Sequence, residues 1–248
     1  METVYQKIEN KNPWYVDCHL GQVKDNSTKR VVLKRWNFII SAVKNFGEKY
    51  GKNGLNILDA GCGDGVNLKL LAGIPGVKVH GIDYNPVRLE RVKKEFPGVE
   101  IAQADLVCFK TDKKFDIVLC SQVLEHIGDD VKALENMRGL LSDPGILILG
   151  VPNEGCFLAR LRNNVFEPAI KKTTDHVNFY TERSIRQKIE SAGFAIIEKM
   201  HEGFFFPCQK LSSFLASSDP GFALLNLLGS LFKGQAGGYY FICSKGLP

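Results

Sequence analysis

Acidic and imidazole side chains at a few positions carry most of the chemical promise of this sequence. Asp59 lies in the segment N-I-L-D-A-G-C-G-D-G-V-N, where Gly61, Gly63 and Gly65 recur at alternate positions. Glycines so spaced allow a sharp backbone turn and a close ligand approach. A helix starting after them would offer free N–H groups to the ligand's anionic end. Asp83 follows 22 residues after Gly61, at the end of an apolar run, and Asp105 follows a third such run. An acid at the second position can accept both hydroxyls of a ribose; one at the third can accept from an adenine amino group. Each acid alone could equally cap a turn. Their joint placement at successive strand ends argues for a ligand site.

The loop chemistry narrows the ligand. A phosphate loop would need G-K-[ST], which is missing. A dinucleotide fingerprint G-x-G-x-x-G would need a small residue where Val66 stands. S-adenosylmethionine, which has no phosphates, remains, with Asp59 near its ammonium group; Asp83 by itself does not separate it from a nicotinamide nucleotide.

These residues need elements to hold them. The chain has 248 residues, 44% apolar and 24% charged, enough for a sizeable core without disulfides. A net charge of +5 is too mild and dispersed for nucleic-acid binding. Seven cysteines without a C-x-x-C pair read as reduced thiols, Cys62, Cys120 and Cys243 buried in strands, and no metal ligands are expected. No signal-peptide core or run of about 18 apolar residues occurs, so a cytoplasmic protein is expected, with membrane association an open alternative.

Strands are predicted over 56–60, 77–83, 99–103, 115–121, 146–151, 195–200 and 239–244. Helices are predicted over 65–72, 86–95, 130–141 and 181–192, and before them from Ser27, as N-cap, to near Gly51. Alternating strands and helices, with continuous apolar strands, predict an α/β fold: an open, mostly parallel sheet covered on both faces.

From Asn56 to about Phe194 the chain resembles a class I S-adenosylmethionine-dependent methyltransferase. L-D-A-G-C-G-D-G, H-G-I-D-Y-N-P and A-D-L resemble that family's first three motifs. F-D-I-V-L-C-S-Q-V-L-E-H-I resembles its fourth strand, and L-S-D-P-G-I-L-I-L-G-V-P-N its fifth. D-H-V-N-F-Y-T-E-R-S-I-R-Q-K-I-E-S-A-G-F is similar to the subgroup of ubiquinone-pathway O-methyltransferases and bacterial lipid- and sugar-tailoring enzymes. The resemblance implies a Rossmann-like seven-stranded sheet, last strand antiparallel, with S-adenosyl-L-methionine as cofactor. Gly61, Gly63 and Gly65 would line its methionine part, with Asp59 beside the ammonium or holding the loop. Asp83 would take the ribose and Asp105 the adenine amino group. Tyr84 and Leu106 would pack on adenine, and Ser121 and Gln122 would border the sulfonium. Arg30, Lys34, Arg35 and Trp14 are alternatives for the cofactor carboxylate.

The activated methyl needs mainly an aligned nucleophile. His126 in L-E-H-I is the first candidate base and His176 the second; each also has a purely structural reading. Asp175 and Tyr180 could orient a substrate. His19, His80 and His201 look incidental.

Residues 1–54 read as an N-terminal arm and helix covering the site. Residues 55–248 read as the methyltransferase domain, carrying a hydrophobic insertion at 203–233. In its second half Asn226, Ser230 and Lys233 form a narrow polar stripe among leucines, so the helix is expected to bury most of its surface, against the domain, a second copy or a membrane. Arg160, Arg162, Lys171 and Lys172 would suit an anionic lipid or phosphate-bearing acceptor. The reading that results is methyl transfer to a small molecule, at oxygen: a lipid, quinone precursor or saccharide-linked acceptor. A nicotinamide-dependent oxidoreductase and a non-catalytic cofactor-binding interaction protein are the alternatives.

Overall fold

The computed structural model describes residues 26–169 and 175–246. Trp14 and His19, the first 25 residues of the arm, and Lys171 and Lys172 lie outside them.

Helix α1 (Asn26–Tyr50) leads into β1 (Leu55–Ala60). Then come α2 (Val66–Ala72), β2 (Val77–Asp83), α3 (Pro86–Glu95), β3 (Glu100–Gln103), β4 (Phe115–Ser121), α4 (Asp130–Leu140) and β5 (Leu141–Pro152). After α5 (Phe157–Leu161) the chain continues through α6 (Glu182–Ser191), β6 (Phe194–His201), α7 (Gln209–Ala216), α8 (Asp219–Leu231) and β7 (Gly238–Lys245). The strand order is β3-β2-β1-β4-β5-β7-β6. The first five strands pair in parallel, and β7 runs antiparallel between β5 and β6. The order reverses between β1 and β4, so the ligand crevice of such a sheet opens at their carboxyl ends.

Apolar spacing builds both faces. Ile39, Ala42, Val43 and Phe46 recur on one side of α1 and pack with Ile57, Ile117 and Ile148. On the opposite face Leu134, Met137, Ile185 and Ile189 from α4 and α6 meet Leu147, Leu149 and Phe241. The Asn85 side chain accepts from the Val87 and Arg88 amides, and Pro86 starts α3. Thr181 and Ser184 form a capping box on α6.

Two sequence expectations change. Ser27 lies within α1 and so does not cap it. The leucine-rich α8 does not bury most of its surface: Leu224, Leu227 and Leu231 share one exposed face, 45%, 56% and 66% open to solvent. Its inner face is built instead from Gly221, Leu225 and Gly229, where Gly229 lies against the backbone of Glu202 and Phe204. Asn226, expected on the outer polar stripe, receives a hydrogen bond from the Lys34 ammonium of α1.

Asp130 joins two of the covering helices. Its buried carboxylate accepts from the Tyr180 hydroxyl and the Lys188 ammonium, each at 2.7 Å. Hydrogen bonds to charged groups contribute about 1.5–3 kcal/mol. Asp130→Ala is therefore expected to lower urea stability by about 2 kcal/mol; an unchanged midpoint would remove this tie from the account.

Candidate functional site

The chain turns at Gly61 and Gly63, with φ of 88° and 52°, directly after β1. The Gly61 and Cys62 amides both donate to the Ile82 carbonyl, at 2.8 and 2.9 Å. The Gly63 amide donates to one Asp83 oxygen at 2.8 Å, and the Asn85 amide to the other at 2.8 Å. Asp83 thus clamps the glycine turn to the end of β2. An ionised carboxylate has about four lone-pair sites, so two remain for a ligand. A Cβ on Gly61 would lie 2.4 Å from Val123 Cγ2, so the missing side chain brings the turns after β1 and β4 together. Gly65 likewise packs against Phe96 and Val92.

Asp59 is fully buried beneath this turn, and neither carboxylate oxygen has a hydrogen-bond partner of ordinary geometry among the described residues. Burial, and then the neighbouring Asp83, push its pKa up to about 7, against a weaker opposing pull from the Asn67 side chain. Burial also raises Asp83, opposed by the amides of Asn85 and Gly63.

The other predicted residues fall around the same edge. Tyr84 is 52% exposed beside Asp83, whereas Leu106 is buried in the core. Asp105 Oδ1 accepts from the Val107 amide at 2.9 Å, so this acid also holds its own turn. Ser121 Oγ lies 2.5 Å from the Tyr240 hydroxyl. Gln122 has φ of 58°, rare outside glycine, and its buried Nε2 has no partner among the described residues.

Of the basic candidates on α1, Arg30 pairs with Asp219, and Lys34 donates to the His201 carbonyl and Asn226. Arg35 alone of these three reaches the crevice. It grips Glu202 with two nitrogens, lies 3.5 Å from Gln122 Oε1 and stands over the Tyr240 ring. Burial opposes its charge, but Glu202 and Tyr240 outweigh that and hold its pKa above the usual arginine range.

Beyond β4, Glu125, His126 and His176 bring one polar atom each within 4.8 Å of one another. Glu125 is 1% exposed, with Oε2 unpartnered among the described residues, and burial raises its pKa despite His126, His176 and Arg35. His126 Nδ1 is 3.1 Å from Asp175 Oδ1, within ion-pair range but without hydrogen-bond alignment. The imidazoles of His126 and His176 meet edge to face, centroids 4.7 Å apart. His176 Nδ1 lies 2.7 Å from Glu154 Oε2. Tyr180 is turned inward to Asp130, away from any substrate. Glu154, Glu202 and Tyr240 were missed in the sequence. Only Glu154 left a signal there, its place two residues past β5, at the carboxyl edge.

A family model described as a methyltransferase domain matches residues 33–199. The chain belongs to this methyltransferase family. A probable S-adenosylmethionine-dependent methyltransferase of Mycobacterium tuberculosis is 31% identical over 103 residues, covering 41% of this chain and 37% of that protein. The ubiquinone biosynthesis O-methyltransferase of Coxiella burnetii is 27% identical over 155 residues, covering 58% of this chain and 65% of its own length. The alignments thus span between about a third and two thirds of these curated methyltransferases. Solved methyltransferases share the fold. Magnesium protoporphyrin IX methyltransferase from Synechocystis PCC 6803, with bound S-adenosylhomocysteine, superposes with a TM-score of 0.54 at 18% identity, covering 88% of this chain and 86% of that one. An S-adenosylmethionine-dependent methyltransferase from Mesorhizobium loti gives 0.56 at 19% identity, covering 77% and 91%.

The raised pKa of Asp59 has a stability consequence. Its ordinary value is 3.8 and its folded value about 7, so the folded state holds a proton that the unfolded state has released between those limits. Its contribution to stability is present below pH about 4 and is lost as pH rises through about 7. Asp59→Asn is expected to raise the melting temperature of ligand-free protein at pH 8 and to change it little at pH 4. Equal effects at both pH values would contradict the shifted carboxylate.

Proposed function

We propose that this methyltransferase-family chain binds S-adenosyl-L-methionine across the carboxyl ends of β1, β2 and β4 and moves its methyl group to an oxygen of a small, lipophilic acceptor. The observation that carries the reading is a row of buried polar groups with open valences along the β1–β4 edge: both oxygens of Asp59, Nε2 of Gln122 and Oε2 of Glu125. Buried polar groups are normally satisfied, so this row fits a polar, cationic ligand. When bound, the cofactor supplies a methyl on a positively charged sulfur.

The chain's own groups then have distinct tasks. Asp83, already fixed by two amides, accepts from the ribose hydroxyls. Tyr84 covers the adenine, with Asp105 near its amino group. Gly61 and Gly63 keep the turn low beside the methionine part, and Asp59 offers charge toward the ammonium. Ser121 and Gln122 border the sulfonium, and Arg35 is the basic residue placed for the carboxylate. Helix α1 acts as cover, bringing Arg35 to the crevice. Glu125, His126 and His176 face the acceptor side, where either imidazole can take a proton from a hydroxyl.

A lipophilic acceptor is supported by apolar side chains left open near that side. Phe157 is exposed after β5, and Leu227, Leu231 and Phe232 are exposed on α8 and just past it. A membrane surface or a second copy of the chain could cover the same face. None of the helices among the described residues is long and apolar enough to cross a membrane.

Isothermal titration tests the cofactor. S-adenosylhomocysteine is expected to bind and NADH not to. Asp83→Ala is expected to weaken S-adenosylhomocysteine binding by roughly 10–100-fold, the equivalent of about 1.5–3 kcal/mol. Binding of NADH alone would reverse the reading, as would unchanged affinity for the ribose assignment. Incubation with deuterated-methyl cofactor and cell extract, read by mass spectrometry, is expected to label a lipophilic compound at oxygen. Label on protein or nucleic acid instead would overturn the acceptor class.

A further inference from the structure

We propose that Glu154 is the positioning residue that fixes His176 as the proton acceptor for the acceptor's hydroxyl. The inference rests on the methyl-transfer reading and deepens it by choosing between the two imidazoles and adding a residue to the site.

The geometry separates the two histidines. Glu154 sits two residues past β5, with its carboxylate largely shielded from water. One oxygen receives His176 Nδ1 at 2.7 Å; the other lies 3.3 Å from the Arg162 guanidinium. Arg162 is itself held over the Phe205 ring, 4.7 Å from its centroid. Phe205 belongs to the 203–233 insertion, so that insertion, the segment after β5 and the strap carrying His176 meet in one chain of contacts. Among the described residues, His126 Nδ1 has no such anchor: Asp175 approaches it at 3.1 Å without hydrogen-bond alignment.

A carboxylate on Nδ1 selects the tautomer with hydrogen on that nitrogen and directs the basic lone pair to Nε2. Among the described residues, the charged or titratable groups facing His176 include Glu154 and Arg162 from beyond β5, Glu125 and His126 from beyond β4, and the adjacent Asp175. Burial disfavours its charged form, but Glu154 first, then Glu125 and Asp175, raise its affinity for a proton. In the step, the acceptor's hydroxyl proton goes to His176 Nε2 while an oxygen lone pair forms the new O–CH3 bond. The S–C bond breaks, its electron pair stays on sulfur, and neutral S-adenosylhomocysteine leaves. The imidazolium that results lies against Glu154.

Long-range proton–nitrogen NMR of EDTA-treated full-length protein, at a pH where imidazole is neutral, tests the positioning. The His176 signals are assigned by their loss in His176→Gln. In the wild type His176 is expected to carry its hydrogen on Nδ1. Glu154→Gln, which keeps an acceptor, is expected to keep that tautomer, and Glu154→Ala to lose it in favour of hydrogen on Nε2. In the labelled-methyl extract assay, Glu154→Ala is expected to lower the turnover rate by tenfold or more, and His176→Gln by roughly a hundredfold. S-adenosylhomocysteine affinity, titrated on the same samples, is expected to stay within about twofold. Hydrogen on Nε2 in the wild type, a tautomer indifferent to Glu154→Ala, or wild-type labelling by His176→Gln would overturn the proposal. Any of these with S-adenosylhomocysteine binding intact overturns the proposed pair alone; loss of that binding in the wild type overturns the methyl-transfer reading beneath it.

Discussion

The site is organised by the clamp between β1 and β2. Two backbone amides of the glycine turn close on Ile82 O and a third on Asp83, so the loop after β1 is fixed by the end of its neighbouring strand. Only a residue without a side chain fits at Gly61, since its Cβ would enter Val123. The turn after β4 is thereby brought against the turn after β1, and three strand ends share one crevice. Gln122, at positive φ without the freedom of glycine, sits where the two turns meet. Strain at such a position is characteristic of functional edges.

Charge explains what the crevice prefers. Asp59, Asp83 and Glu125 are carboxyls pushed toward their neutral forms by burial. Two cations stand nearby: Arg35, which Glu202 holds in a two-nitrogen grip, and Arg88, whose charge acts on Asp83. A cationic ligand would favour the ionised forms of the acids at the β1–β4 edge. The physical preference and the family membership therefore point to the same class of cofactor.

Much of this was legible in the sequence. Apolar-rich segments between turn and helix signals located all seven strands, and β2, β4 and α3 kept their predicted ends, because Asp83, Ser121 and Asn85–Pro86 are local stop and start signals. β5 begins earlier than expected, at Leu141, since S-D-P-G reads as a break; the pairing indeed jumps there, from Phe115–Leu141 to Ile117–Ile146. Long-range side-chain partners were not legible. Arg35 and Glu202 are 167 residues apart, and nothing in either local pattern announces the pair. The exposed leucines of α8 show the same limit: periodicity identifies the helix, but Gly221 and Gly229 decide which face turns inward.

On the proposed reading, the clamped glycine turn and its acids form a nucleoside pocket. A crystal structure of the full chain with S-adenosylhomocysteine tests it most directly. Ribose hydroxyls are expected on the Asp83 carboxylate, with the Gly63 amide still bound to it, and the ligand's amino group on the Asp59 side of the turn. A ligand bound elsewhere, or a turn that must leave Asp83 to admit it, would contradict the account.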